Sequence, residues 1–325
     1  MGPAQLDAES VEALRPLVQR HRFNPYRNYR AISPRAQTDV LMAEIMSDLK
    51  GFVCFAGAEN ARAAVIAKRL SWDSAFFGLP MARIDYVLGD DAASRDVALH
   101  ACLEALRGVG VSHVSAQTDA ADVGTAVQLE RHGFRLTGGT VTYTARPGKE
   151  RPNPVRELGK IRPLQADDAS EVIALSEKAF EGFRGRFHLD PNLPHDRVNA
   201  LYGEWARRCV SHEMADVVLV SEGHDGHLLG FLAFRQREPV STSSGVKIFG
   251  GGLGACRSDA PGAYLGLLSR GVRWAHERGG IAEVQTQNYN FPAIGLYEAV
   301  GLRSRRADYS FVSWLGSSEA YANED

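Results

Sequence analysis

The sequence predicts an α/β fold made of two related domains in tandem. Two observations carry this. The stretch "VQTQNYNFPAIGLYEAVGL" (Val284 to Leu302) has an imperfect earlier copy, "AQTDAADVGTAVQLERHGF" (Ala116 to Phe134), aligned without a gap at a constant offset, 285 − 117 = 168. Gln117, Thr118, Glu130 and Gly133 meet Gln285, Thr286, Glu298 and Gly301. The flanking segments also agree in kind. "VALHACLEALRGVGVSHVSAQT" and "YLGLLSRGVRWAHERGGIAEVQT" each read as an apolar-faced helix, a short turn and a strand. In the second, Tyr264, Leu267, Leu268, Gly271, Trp274 and Ala275 follow the i, i+3, i+4 spacing of one helix face. Both copies enter another helix, end it near a glycine and begin a strand, "GTVTYTAR" or "ADYSFVSWL". The period is too long for a solenoid, so it marks a duplicated domain.

The first half gives a helix near "TDVLMAEIMSDL" and strands at "GFVCFAG" and "MARIDYVLG". "ARPGKERPNPVRELG" (Ala145 to Gly159), rich in proline and charge, reads as a linker. The predicted division is therefore a domain over 1–148 with a helical N-terminal extension, a linker over 149–158 and a domain over 159–325. The second half opens on a helix whose Asp168 and Glu171 are spaced as a capping box. An irregular loop, "EGFRGRFHLDPNLPHDR", precedes a helix carrying Val198, Leu201, Tyr202, Trp205 and Cys209 on one side. "DVVLVSEGHDGHLLGFLAFRQ" is a hairpin, and "GVKIFGGGLGACR" a strand that turns glycine-rich.

Composition narrows the function. The 325 residues are 44% hydrophobic and 23% charged, an ordinary globular balance long enough for two domains. A formal charge of −2 gives no electrostatic reason to bind nucleic acid or a membrane surface. The N-terminus lacks the apolar core of a signal peptide, and no apolar run approaches the roughly 20 residues that cross a bilayer. Four scattered cysteines read as reduced thiols of a cytoplasmic protein. His224 and His227 bracket a hairpin turn without partners at ligand spacing, so no metal is expected.

The glycine run Gly250 to Gly254 is not a dinucleotide fingerprint, because Arg257 stands where its third glycine would fall; no P-loop occurs either. Beyond the run come a loop with Arg257 and Gly262 and a helix starting near Pro261 to Ala263, whose N-terminus can hold an anion or simply be an ordinary cap.

Strand, Arg-x-x-x-x-Gly loop, helix, strand, then N-x-x-A-x-x-L-Y-E-x-x-G resembles the GNAT acyltransferase superfamily. Arg257 to Gly262 looks like its pyrophosphate loop, with Ala260 in place of the first glycine, and Asn290, Ala293, Leu296, Tyr297 and Gly301 like its pantetheine and tyrosine segment. "LSWDSAFFGLPMARI" and "AFEGFRGRFHLDPNLPHDRVNALYGEWARR" narrow the resemblance to the TDP-fucosamine acetyltransferase family, over about residues 68 to 315. The resemblance implies tandem GNAT-like domains with mixed, mostly antiparallel sheets flanked by helices, the N-terminal copy degenerate. It also implies an acyl-CoA donor, acetyl-CoA or another short acyl-CoA, and as acceptor an amino sugar on a nucleotide diphosphate, dTDP by that resemblance.

Acyl transfer from a thioester to an amine needs a neutral amine, donors for the tetrahedral oxyanion and a proton or hydrogen bond for the departing thiolate. Tyr297 fits the last, since a phenol of pKa about 10 stays protonated at neutral pH. Backbone N–H groups of Phe249, Gly250, Gly251, Gly252 and Leu253 fit the second, where glycines let a ligand approach the backbone. Arg257, Pro261, Gly262 and Ala263 fit the pyrophosphate, and Asn290 either the pantetheine arm or an N-cap. The base is open among His188, Asp190, His212, Glu213 and a water held by one of them. Arg184, Arg186 and His188 could meet acceptor phosphates, with Phe187, Tyr202 and Trp205 flanking a base or sugar, although Tyr202 and Trp205 also suit a core; Trp72, Phe76 and Phe77 are open in the same way between substrate contact and domain packing. The same chemistry on another amine, such as an antibiotic, peptide or polyamine, and a non-catalytic acyl-CoA-binding module remain alternatives.

Overall fold

A computed structural model describes residues 4–5, 8–47, 51–56, 62–148 and 155–316. Most of the linker, including residues 149–154, lies outside them. The chain forms two compact units. Unit 1 comprises residues 1–139, 189–193 and 307–325, and unit 2 residues 140–188 and 194–306.

In chain order the elements up to the linker are β1 (Ala4–Gln5), α1 (Ala8–Arg20), α2 (Pro34–Ser47), β2 (Gly51–Ala56), β3 (Ala63–Arg69), α3 (Ser71–Phe77), β4 (Met81–Gly89), α4 (Ala92–Gly108), β5 (His113–Asp119), α5 (Val123–Arg131) and β6 (Arg135–Ala145). Those after it are β7 (Lys160–Pro163), α6 (Ala169–Ala179), α7 (His195–Val210), β8 (Val217–Glu222), β9 (Leu228–Gln236), α8 (Glu238–Ser244), β10 (Ile248–Cys256), α9 (Gly262–Glu277), β11 (Ile281–Gln287), α10 (Phe291–Val300) and β12 (Arg303–Trp314).

Unit 1 orders its strands β1-β2-β3-β4-β5, followed by the end of β12. Among the described residues only β4 and β5 run parallel there. Its core lies where Ala98, Leu99, Cys102 and Leu106 of α4 meet Val65, Ile84 and Val114 of the sheet. A second cluster joins Leu14, Leu17 and Val18 of α1 and Leu41, Met42 and Ile45 of α2 to Ala64, Ile66 and Leu88, so the N-terminal extension belongs to this unit's core. Unit 2 repeats the plan: the end of β6, then β11, β10, β9, β8 and β7, with only β10 and β11 parallel among the described residues. Leu267, Leu268, Val272 and Ala275 of α9 pack there on Phe234, Phe249 and Val284. Each buried leucine contributes on the order of 1.5–3 kcal/mol. Gly271 is required at this contact, because a Cβ there would lie 2.1 Å from the Phe234 ring.

The repeat extends into the strand register. In unit 1 the parallel pairing ends at Ile84↔Ala116, and Ala116 faces Phe311 on its other side. In unit 2 it ends at Gly251↔Val284, and Val284 faces Tyr143. The two equivalences, 284 − 116 and 311 − 143, both give 168. The last strands are exchanged, however. β6 comes after the first copy's helix α5 in sequence, yet its end pairs with β11 of unit 2; β12 closes unit 1 against β5. The loop between α6 and α7 behaves similarly. Asp190, in the short piece that joins unit 1, is 2% exposed and accepts from Trp314 Nε1 at 3.2 and 3.1 Å, with His113 Nε2 3.1 Å away.

Local differences from the sequence reading have physical causes. The expected capping box at Asp168 and Glu171 sits one turn earlier. A 3₁₀ turn over Ala166–Asp168 precedes α6, and Asp168 reaches back to accept from the Gln165 N–H at 2.7 Å. Arg162 holds the same carboxylate at 2.6 and 3.0 Å and lowers its pKa, while Glu171 accepts from the Leu228 N–H at 2.9 Å. Strand β7 and helix α8 are too short and polar to show in the sequence pattern. α8 is set by a proline in its first turn and by Gly245 at φ 70° after its end.

Since β11 takes a neighbour from before the linker, residues 159–325 expressed alone should lose cooperative thermal unfolding. A full chain cut within 149–154 by an inserted protease site should stay associated on gel filtration and melt cooperatively.

Candidate active site

The site in unit 2 begins with the way β10 and β11 part. Their pairing runs only from Ile248↔Ile281 to Gly251↔Val284. On the other flank the β10–β9 register shifts between Gly251 and Gly254, the mark of a bulge that bends β10. β11 continues straight along β6 to Gln287. The facing edges therefore separate beyond Gly251 and Val284, and their peptide groups become available to an extended ligand. A Cβ on Gly251 would lie 2.8 Å from Val284, so glycine is needed at the closing point; one on Gly250 or Gly252 would meet only ordinary contacts. Gly252 is exposed, and Leu253 half-buried. Phe249 turns its side chain into the core, edge-on to Trp274 at 4.9 Å, leaving only its backbone for a ligand.

At the far end of β10 the chain turns into α9. Ala260 N–H donates to Arg257 O and Ala263 N–H to Ala260 O, each at 3.0 Å, so Ala263 spends its amide on the turn. Pro261 is the N-cap and Gly262 the first helical residue; both are exposed, and a Cβ on Gly262 would meet nothing closer than Leu158 at 3.8 Å. α9 has 16 residues, long enough for its N-terminal partial charge to favour an anion. The Arg257 guanidinium is held bidentately by Asp259 at 2.9 and 2.7 Å, so an incoming anion would compete with that carboxylate.

Tyr297 stands on α10 with 4% of its surface exposed, its ring edge-on to Tyr143 at 5.5 Å. Its hydroxyl donates to Gln285 O at 3.5 Å. Burial pushes the phenol above its ordinary value, while the neighbouring Tyr264 and Thr286 hydroxyls pull it down. Tyr264, third residue of α9, has its own value raised by burial and by Tyr297. Asn290 is used locally. Its Oδ1 caps α10 by accepting from Ala293 N–H at 3.4 Å, and its Nδ2 donates to Thr286 Oγ1 at 2.9 Å. Sequence reasoning missed three members of this group: Tyr264, Thr286 and Tyr143, whose hydroxyl donates to Glu298 at 3.3 Å. The only signal for Tyr264 was a polar tip on an otherwise apolar helix face.

The acceptor-side residues fall into two sets. Arg184 and Arg186 are exposed, and the Tyr289 hydroxyl donates to Arg184 O, tying this loop to the turn before α10. Arg186 stacks 4.7 Å over buried Phe187. Tyr202 is buried, stacked on Phe180 at 4.1 Å and facing His188 at 5.7 Å. Both His188 ring nitrogens are buried without a partner of good geometry, and burial lowers the imidazole against the opposing Asn199 side chain. Asp190, a candidate base in the sequence, lies instead in unit 1 with its oxygens engaged by Trp314 and beside His113. His212, at φ 62°, ends α7 with Nδ1 3.3 Å from Ala215 O, and Glu213 is paired with Arg208 at 2.7 Å. Trp72 and Phe77 belong to α3 of unit 1, where Phe77 is buried and Trp72 stacks on Phe76 at 5.2 Å. Among the described residues no group of three or more His, Cys, Asp or Glu is placed to hold a metal, and no helix is long and apolar enough to cross a membrane.

No protein-family model matches the chain. The spore coat polysaccharide biosynthesis protein SpsD of Bacillus subtilis (strain 168) is 24% identical over 199 residues, 61% of this chain. The match spans 65% of that protein, just under two thirds of its length. Among solved structures, a GCN5-related N-acetyltransferase from Sphaerobacter thermophilus superposes with a TM-score of 0.64 at 13% identity, covering 96% of this chain and 95% of its own. A tandem GNAT protein from the clavulanic acid biosynthesis pathway gives 0.56 at 15% identity, over 98% and 99%. A glucosamine N-acetyltransferase region of a fungal multi-domain GH3 beta-N-acetylglucosaminidase gives 0.61 at 10% identity, over 95% of this chain and 38% of that one. The parted parallel strands, the helix N-terminus beside them and these superpositions over nearly the whole chain agree: the chain has the fold of the GNAT N-acetyltransferases, in tandem.

Proposed function

We propose that this protein is an N-acyltransferase that moves a short acyl group, acetyl or similar, from acyl-CoA to the amine of a nucleotide-linked amino sugar. The observation that carries the reading is the parting of β10 from β11 beside a buried, protonated Tyr297. The bare backbone of Gly250 to Leu253 suits the pantetheine arm, and the exposed turn at Arg257, Pro261 and Gly262 suits its pyrophosphate. Acyl-CoA supplies the thioester. The acceptor nitrogen bonds to its carbonyl carbon and sheds a proton to solvent, backbone N–H groups at the bulge stabilise the oxyanion, and the C–S bond breaks as the Tyr297 phenol donates to the leaving sulfur and is reprotonated from solvent. Asn290 acts through the α10 cap and Thr286.

Support for a sugar acceptor comes from the likeness to a polysaccharide biosynthesis protein and from the sequence resemblance to TDP-fucosamine acetyltransferases. Exposed Arg184, and exposed Arg186 over the Phe187 ring, are chemically suited to a diphosphate. Unit 1 is read as a non-catalytic copy. Leu129, 1% exposed, occupies the position 168 residues before Tyr297. Asp91 caps α4 with a carboxylate that accepts from Ser94 N–H at 2.8 Å, and Ser94 occupies the position 168 residues before Gly262.

Tyr297→Phe should lower kcat by about 10²–10³-fold with acyl-CoA affinity unchanged in calorimetry; unaltered turnover would remove the general-acid assignment. Gly262→Asp puts a carboxylate at the α9 N-terminus and should weaken acyl-CoA binding at least tenfold, with the melting temperature little changed. Tyr297 titrates above its ordinary value of about 10, so its proton is present through the neutral range and turnover should show no decline from it below about pH 10. Screening dTDP-amino sugars against simple amines, an aminoglycoside and a polyamine identifies the acceptor class. Binding of acyl-CoA without turnover of any amine would make the chain a binding module.

A further inference from the structure

We infer that Tyr289 is a positioning residue for the acceptor: its hydroxyl clamps the main chain at Arg184 and so holds the Arg184 and Arg186 side chains in place for an acceptor diphosphate. This rests on the acyltransferase reading with a nucleotide-linked acceptor. The placement of Tyr289, the packing behind the clamped loop and the charge on its outer side each support it.

Every residue involved lies in unit 2. Tyr289 sits in the turn between β11 and α10, where the Asn290 N–H donates to Gln287 O at 3.0 Å. Asn290, the next residue, caps the helix that carries Tyr297, so the turn is fixed to the element bearing the proposed acid. From this turn the Tyr289 hydroxyl reaches 105 residues back along the chain and donates to Arg184 O. The receiving loop, residues 181–188, follows α6. Rings back it: Tyr202 of α7 stacks on Phe180 at 4.1 Å, meets Phe183 edge-on at 5.8 Å and faces His188 at 5.7 Å. Gly185 is pressed against them, since a Cβ there would lie 2.7 Å from the Tyr202 hydroxyl. Burial alternates along this stretch. Gly185 and Phe187 are buried, Arg184 and Arg186 exposed, so both arginines stand on the solvent side. The rings hold the loop by its buried residues. The Tyr289 hydroxyl holds it by its main chain, at the first of the two arginines. Two guanidiniums on one exposed side suit a group with two adjacent phosphates. A loop ordered before the ligand arrives also loses less freedom on binding it.

The test is Tyr289→Phe, which keeps the ring and removes only the hydroxyl. By calorimetry the variant should bind dTDP about three- to tenfold more weakly, the loss of one hydrogen bond, and acceptor KM should rise by the same factor while kcat and acyl-CoA affinity stay within about twofold. Trypsin reads the clamp separately. The bonds after Arg184 and Arg186, located by mass spectrometry, should be cut about three- to tenfold faster in the variant, because cutting follows the population of the open loop. In the wild-type protein dTDP should slow the same cuts. Unmoved dTDP affinity, unchanged cutting at these two bonds, a parallel loss of acyl-CoA affinity, or a wild-type protein that binds no dTDP would each overturn the assignment. Calorimetry and proteolysis need no turnover. A protein that acylates no amine would sink the acyltransferase reading, while these two measurements would still decide the clamp and its ligand.

Discussion

Everything in unit 2 depends on the point at which two parallel strands stop pairing. Val284 is the last residue of β11 joined to β10, and Gly251 the last of β10 joined to β11. Parallel strands that stay paired leave no backbone for a ligand; strands that diverge leave unsatisfied peptide groups, which are costly unless something bonds them. The sequence holds the divergence in place with a glycine pressed against Val284, a bulge against β9 and one helix on each side of the gap. α9 follows β10 through the turn at Arg257 to Gly262, and α10, which carries the Tyr297 phenol, follows β11.

The same divergence occurs in unit 1, at the residue 168 positions earlier, with different chemistry around it. Leu129 is packed into the core and Asp91 supplies its own carboxylate to the helix start. The two units thus share the strand geometry while differing in the side chains around it. The N-terminal helices α1 and α2 complete the hydrophobic face of this copy through Ala64, Ile66 and Leu88.

Much of this was legible in the sequence, and the losses are instructive. The Asn290-to-Gly301 segment announced a capped helix with a tyrosine on it, and the structure places the cap at Asn290 and the stop at Gly301, φ 100°. The glycine run announced a strand a ligand could approach, though not that Gly251 and Gly254 face packing while Gly250 and Gly252 face outward. Tyr264 looks like part of an apolar face because periodicity records where a ring goes, not what its hydroxyl meets. Tyr143 could not be assigned to the Tyr297 neighbourhood at all. Strand partners far apart in sequence leave no local trace, and the pairing rule that consecutive elements are neighbours fails at β6 and β12. Asp190 looks like a loop carboxylate for the same reason; its partners His113 and Trp314 lie 77 and 124 residues away.

The exchanged strands also bear on how the protein is made. A ribosome releases the chain from the N-terminus, and domains ordinarily fold in that order as they emerge. Here β5 waits for β12, whose pairing residues begin at Asp308, and β11 uses a strand completed at Ala145. The first unit cannot close its sheet until synthesis has passed Asp308, whereas the second has its borrowed strand ready before the rest of its own sequence emerges. Assembly therefore runs against the order of synthesis, with the copy carrying Tyr297 able to complete its sheet first and the older half of the nascent chain finishing last.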